Sequence, residues 1–216
     1  MALVLKEKLH GKAEFALWKI EEEDGFYNQK LVLSKEETAY ILSIKHPAQR
    51  TRWLASRYLL KDLMKTDEFV ELLADAHGKP YISNFPLQIS ISHSNKYAAV
   101  ILSKTHNVGI DVEEVGRNIE PLKHKFLSVT ELQTLQPETQ KEQLLLYWAA
   151  KEVMYKMYAK KKLEFKYDML VKPFELKQKG YLFGILTKND QVFHYNMSYL
   201  LMQNYVLVYG IEHITS

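Results

Sequence analysis

Apolar and polar positions along the chain fall into alternating and helically spaced stretches. "ALVLKEKLHGKAEFALWKI" alternates on both sides of His10-Gly11 and predicts a β-hairpin. Ser34 and Glu37 in "SKEE" have the spacing of a capping box at a helix start. Pro47 suits the first turn of a longer helix through "AQRTRWLASRYLLKDLM". "GKP" at 78–80 predicts a turn, "LQISISHS" and "YAAVILS" alternate as strands, and "VGIDVEEV" is the next strand. Ser128 and Glu131 form a second capping box, and Pro137 precedes the helical stretch "ETQKEQLLLYWAAKEVMYKMYAK". From Phe165 onward the pattern predicts several strands, with a turn at Lys179-Gly180.

The two halves echo each other. The capping boxes lie 94 positions apart, and at that offset "ASRYLL" (55–60) overlays "AAKEVM" (149–154), pairing Arg57 with Lys151. "KPY" at Lys79 and "KPF" at Lys172 lie 93 apart. In order, these matches suggest a duplicated helix-then-sheet unit. Glu152 overlays Tyr58, so that carboxylate belongs to one half only. No Pro/Gly/Ser-rich linker separates the halves, which predicts close packing between them.

Composition narrows the chemistry. The 216 residues contain no cysteine, which excludes thiol nucleophiles, disulfides and cysteine-ligated zinc. The same absence suits a reducing cytoplasm, the expected location. Charge enters at Lys6 after a short apolar run, unlike a secretory signal, and "LLLYWAA" is too short to span a bilayer. No membrane association is expected. A net charge of +3 is too mild to imply nucleic acid as a partner.

Candidate chemistry concentrates in two segments. In "VGIDVEEV", Asp111 and Glu113 share one face of a strand that otherwise reads as buried. Two like charges on a half-buried face repel and lose hydration, so either the face is wet or a cation lies between them. In "WAAKEVMYK", Trp148, Glu152 and Lys156 recur every four residues along one face of an apolar helix. Taken singly, Glu152 with Lys156 reads as a surface pair and Glu114 as a wet strand end. Taken together, Asp111, Glu113 and Glu152 form an all-oxygen set that favours magnesium, with manganese also suited. Lys156 would then meet phosphate charge left uncovered by the metal. Ser90, Ser92 and Ser94 alternate around His93 at a polar strand end, Lys79 lies on the "GKP" turn, and Arg50, Arg52 and Arg57 are spread along one helix. Lys160 to Lys162 follow a helix C-terminus, where cations oppose the helix dipole.

"GKP" (78–80), "ISISHS" (89–94), "GIDVE" (109–113), "KFLSVTE" (125–131) and "WAAKEVMYK" (148–156), in this order, resemble the 4′-phosphopantetheinyl transferase superfamily in its monomeric, two-half, surfactin-synthetase-activating branch. The resemblance covers residues 34–165. It implies an α+β fold of two similar halves related by a pseudo-twofold, with antiparallel sheets packed against long helices. The halves are expected at 1–106, carrying coenzyme A contacts, and 107–216, carrying the metal site and catalytic helix. The reaction implied moves the phosphopantetheine arm of coenzyme A onto a serine of an acyl or peptidyl carrier protein and releases 3′,5′-ADP. Carried over by motif, Asp111, Glu113 and Glu152 resemble the magnesium ligands, Glu152 and Lys156 the catalytic pair, and Lys79, Ser92 and His93 the coenzyme A contacts, with Arg50 and Arg57 aligned more loosely. Two positions depart from the family pattern. Ala159 stands where a glycine is frequent, which predicts a longer helix, and Ser90 stands where asparagine is common. The competing readings are another magnesium-dependent phosphotransfer enzyme and a non-catalytic module that binds carrier protein or coenzyme A.

Overall fold

The computed structural model describes residues 3–160 and 162–213. The chain begins with the antiparallel hairpin β1 (Leu3–Leu9) and β2 (Ala13–Lys19). Its turn places His10 and Gly11 at φ 47° and 72°, the left-handed pair that matches strand twist. Three helices follow: α1 (Asp24–Asn28), α2 (Lys35–Ser43) and α3 (Pro47–Met64). Then come β3 (Leu72–Ala74), β4 (Pro80–Ile82), β5 (Gln88–His93), β6 (Tyr97–Ser103) and β7 (His106–Glu114). Short helices α4 (Lys123–Phe126) and α5 (Val129–Leu132) lead into α6 (Gln140–Tyr158), and α7 (Phe165–Asp168) precedes β8 (Met169–Val171), β9 (Lys179–Lys188), β10 (Gln191–Leu201) and β11 (Tyr205–His213). All strand pairs are antiparallel, and the fold is α+β.

Strand alternation sorts the core into layers. On β2, Ala16 and Trp18 turn towards Leu54, Leu59 and Leu60 of α3. Phe15 and Leu17 turn the other way, onto Val108, Ile110 and Val112 of β7 and Leu207 and Tyr209 of β11. Val206 and Val208, the alternate residues of β11, face Val153, Met154 and Met157 of α6. The order is therefore helix, sheet, sheet, helix. The sheets run β1-β2-β6-β5 and β7-β11-β10-β9-β8. In each, the strand preceding the long helix (β2 or β7) pairs with the last strand of its half (β6 or β11), which pairs with the penultimate one.

Both capping boxes close as their spacing predicts, Ser34 with Glu37 and Ser128 with Glu131. The echo between the halves extends to a contact that spacing alone does not reveal. Arg57 Nε donates to Glu37 Oε1 at 3.0 Å, and Lys151 Nζ donates to Glu131 Oε2 at 2.8 Å. Each cap glutamate thus answers a cation on the long helix of its own half.

Two sequence expectations require correction. Lys179-Gly180 is not a turn but the beginning of β9, where the bare Cα of Gly180 accommodates the Tyr199 ring. The reversal falls at Asn189 and Asp190, which take positive φ between β9 and β10. The helix carrying Glu152 does not run on past Ala159. It ends at Tyr158, and Ala159 adopts the left-handed C-cap conformation (φ 57°, ψ 20°) that glycine adopts without steric cost. Ala159→Gly is expected to stabilise the protein by about 0.5–1 kcal/mol in chemical denaturation, the strain relieved exceeding the entropy that glycine adds to the unfolded chain.

Candidate active site

Alternation along β7 determines where its carboxylates point. Val108, Ile110 and Val112 lie in the core between the sheets, so Gly109, Asp111 and Glu113 face α6. A Cβ on Gly109 would stand 2.7 Å from Met157 Cγ and 2.9 Å from the Val153 carbonyl oxygen, so only glycine lets the helix approach the strand here. Asp111 and Glu113 are 4% and 7% exposed. Lys156 Nζ donates to Asp111 Oδ1 at 2.7 Å and to the Ile110 carbonyl at 2.9 Å. Trp148 Nε1 donates to Glu113 Oε1 at 2.8 Å. Glu152 lies one helical turn from each of these donors and lines the same cleft.

The cleft has a volume of about 540 Å3, within the usual range of ligand sites. Asp111, Glu113, Glu152 and Lys156 line it together with Arg57, Ser92 and His93. Lys79 lines an adjoining cavity shared with Glu152 and Lys156, and its Nζ donates to Asn107 Oδ1 at 2.9 Å. Burial pushes the Lys79 ammonium pKa down. Arg50 lies apart from both cavities and pairs with Asp24. Arg57 pairs with Glu37, and its guanidinium lies 3.2 Å over the Trp53 ring centroid. Of the three lysines at 160–162, Lys161 lies outside the described residues, and Lys160 lines the Lys79 cavity.

Sequence reasoning missed the work done by Ser90. Its hydroxyl accepts the Ile110 N–H at 3.1 Å, while Ser92 accepts from Val112 N at 3.3 Å and donates to Asp111 Oδ1 at 2.7 Å. Two serine hydroxyls of β5 therefore take the place of a backbone ladder along the free edge of β7 and join the two sheets. The alternation Ser90-Ser92 was the signal, but their partner strand was not legible. Arg117, which pairs with Glu113 Oε1, was also missed. It follows β7 by only a few residues, yet no helical or strand spacing marks it.

Electrostatically the site is frustrated. Burial first, then Asp111 and Glu113, push the Glu152 carboxyl up to about 7, against Lys156 and Arg117. Burial and then Asp111 also raise Glu113, opposed by Arg117. His93 shows an exposed residue surface but is crowded by protein atoms. That crowding, with Arg52 and Lys156, holds its pKa below the usual imidazole value. Among the described residues, no three His, Cys, Asp or Glu side chains converge as they stand into a metal cage. Asp111 and Glu113 are instead drawn to Lys156 and Arg117. The donor set still fits a hard divalent ion, because all its ligands are oxygens and Asp111 Oδ2 is buried with no hydrogen-bond partner.

The raised Glu152 pKa has a thermodynamic consequence. The folded protein binds more protons than the unfolded chain between the ordinary carboxylate value of 4.5 and about 7, so stability declines as pH rises through that window. In chelator, Glu152→Gln is expected to lose less melting temperature than wild type between about pH 5 and pH 8. Parallel pH profiles would contradict the raised pKa.

Residues 107–209, which contain α6 and the second sheet from Asn107 to Tyr209, match the 4′-phosphopantetheinyl transferase superfamily. The chain is 31% identical over 114 residues to 4′-phosphopantetheinyl transferase AcpT of Escherichia coli K12, covering 50% of this chain and 57% of that protein. It is 27% identical over 160 residues to 4′-phosphopantetheinyl transferase HetI of Nostoc sp. PCC 7120 (66% and 68% covered). Over 110 residues it is 28% identical to 4′-phosphopantetheinyl transferase gsp of Aneurinibacillus migulanus (50% and 46% covered). The matches thus span from about half to two thirds of these relatives' lengths. Residues 107–209 thus resemble the 4′-phosphopantetheinyl transferase superfamily, and the matching region contains all three candidate carboxylates and Lys156. Among the described residues, no helix is long and apolar enough to cross a membrane.

Proposed function

We propose that this chain transfers the 4′-phosphopantetheine arm of coenzyme A to a serine of an acyl or peptidyl carrier protein, releasing 3′,5′-ADP. One observation carries the reading: Asp111, Glu113 and Glu152 share a desolvated cleft beside Lys156, an arrangement that costs stability unless positive charge joins it. Asp111, Glu113 and Glu152 would hold magnesium, or manganese, through their oxygens. That ion, when bound, supplies charge to neutralise the pyrophosphate of coenzyme A.

The remaining roles belong to the chain. Lys156 is anchored through Asp111 and the Ile110 carbonyl, so its ammonium is oriented before substrate arrives and meets the charge growing on the departing phosphate. Glu152 accepts the proton of the carrier serine hydroxyl, directly or through water. His93 and Lys79 lie towards the 3′-phosphate of coenzyme A, with Arg57 also lining the cleft. Ser92 acts through Asp111, whose carboxylate its hydroxyl orients. Phe126, Trp148, Tyr155 and Phe165 line an adjoining groove of about 520 Å3 next to Glu152 and offer apolar surface to the pantetheine arm. In this reading residues 1–106 supply coenzyme A contacts and residues 107–216 the metal site and catalytic helix. The protein works as a cytoplasmic monomer of the surfactin-synthetase-activating type.

The test is incubation with coenzyme A, magnesium and purified apo-carrier proteins, followed by mass spectrometry of the carrier. A mass gain of one phosphopantetheine arm supports the reading. Coenzyme A binding without modification of any carrier would favour a non-catalytic module.

A further inference from the structure

Glu113 is held from two elements by donors of different character. Trp148 Nε1 reaches Oε1 from α6, and Arg117 pairs with the same oxygen from the segment after β7. The guanidinium also lies 5.3 Å from the Trp148 ring centroid. Trp148 is packed edge-on against Phe126 and beside Phe165, which fixes its N–H. Arg117 follows the exposed Gly116, and its side chain is 42% exposed. One donor is thus neutral and locked, the other charged and loosely held.

The neighbouring charges make this difference matter. Asp111, Glu113 and Glu152 are faced by Arg117 and Lys156, three carboxylates against two cations. Adding a divalent ion would turn a net negative site into a positive one. Lys156 is retained by a backbone carbonyl as well as by Asp111, whereas among the described residues the Arg117 side chain has Glu113 and an aromatic face. Like-charge repulsion therefore acts hardest on Arg117, the cation with the weakest other attachments.

We propose that Arg117 is an exchangeable counter-ion for Glu113. It neutralises the carboxylate until a divalent cation binds, and is then released towards the cleft mouth, where it faces the incoming anionic substrate. Trp148 keeps hold of Oε1 throughout, because a neutral N–H donor is not repelled by the cation. This inference rests on the cation site proposed above.

Calorimetric titration of the full chain with Mn2+ tests it, using wild type, Arg117→Gln, Arg117→Lys and Glu152→Gln, with circular dichroism to verify folding. Arg117→Gln is expected to bind Mn2+ about five- to tenfold more tightly than wild type, because the competing charge is gone, and Arg117→Lys to lie nearer wild type. Mn2+ should also change tryptophan emission in wild type as the guanidinium leaves the Trp148 ring. That change should vanish in Trp148→Phe. Equal or weaker Mn2+ binding by Arg117→Gln overturns the exchange. If Glu152→Gln weakens Mn2+ binding while Arg117→Gln leaves it unchanged, only the exchange is refuted. If wild type binds no Mn2+, the cation site falls and the exchange falls with it.

Discussion

Glu152→Gln is expected to reduce phosphopantetheine transfer by about a hundred- to ten-thousandfold while leaving coenzyme A binding and folding largely intact. The size follows from the two duties that the proposed function gives one carboxylate, cation ligand and proton acceptor. Glutamine keeps the shape of the side chain but carries no charge and accepts no proton. The substitution also removes a desolvated charge from beside Asp111 and Glu113, so the variant protein should be at least as stable as wild type at neutral pH. Single-turnover rates with an apo-carrier, set beside calorimetric coenzyme A affinity, separate the outcomes. A transfer rate within a few-fold of wild type would remove Glu152 from the chemistry.

The second large effect is structural and lies one residue away. Lys151 is fully buried, at 0% exposure, and its ammonium donates to Glu131 Oε2 and to the carbonyls of Phe126, Phe165 and Met169 at 2.7–3.0 Å. Glu131 in turn accepts from Ser128 N and Val171 N. One ion pair thus ties α4, α5, α7 and β8 to the helix that presents Glu152 and Lys156. Burial lowers the Lys151 pKa and Glu131 opposes that shift, so the charge depends on its partner. Lys151→Ala leaves a buried carboxylate and three carbonyls without their donor and should cost roughly 3–5 kcal/mol in urea denaturation. Adding Glu131→Gln to Lys151→Met should recover part of that loss, since no unpaired charge then remains. Stability within about 1 kcal/mol of wild type for Lys151→Ala would show that the network carries little.

Local physics made much of this legible in the sequence. The His10-Gly11 hairpin, both capping boxes and Pro47 at the start of α3 are short-range devices, and each appears where its spacing placed it. Alternation put Asp111 and Glu113 on one face, and helical spacing aligned Trp148, Glu152 and Lys156. That these faces oppose each other depends on Gly109 admitting α6, a contact that no local pattern announces. The misplaced turn at Lys179-Gly180 has a tertiary cause, since that glycine serves the Tyr199 ring rather than a reversal. At Ala159 the chain takes a left-handed C-cap against alanine's preference for continuing a helix. Arg50 looked like its helix neighbours in sequence, but Asp24, far away along the chain, engages it. The Glu37–Arg57 and Glu131–Lys151 pairs were foreshadowed by equal spacing in the two halves, although spacing gave no sign of contact.

The central claim is that Asp111, Glu113 and Glu152 close on one divalent ion. Anomalous diffraction from crystals grown with Mn2+ and coenzyme A tests it directly. The account predicts a single anomalous peak within about 2.0–2.4 Å of an oxygen from each of the three carboxylates and next to the pyrophosphate. A peak elsewhere, or coenzyme A bound with no ion between the carboxylates, would contradict it.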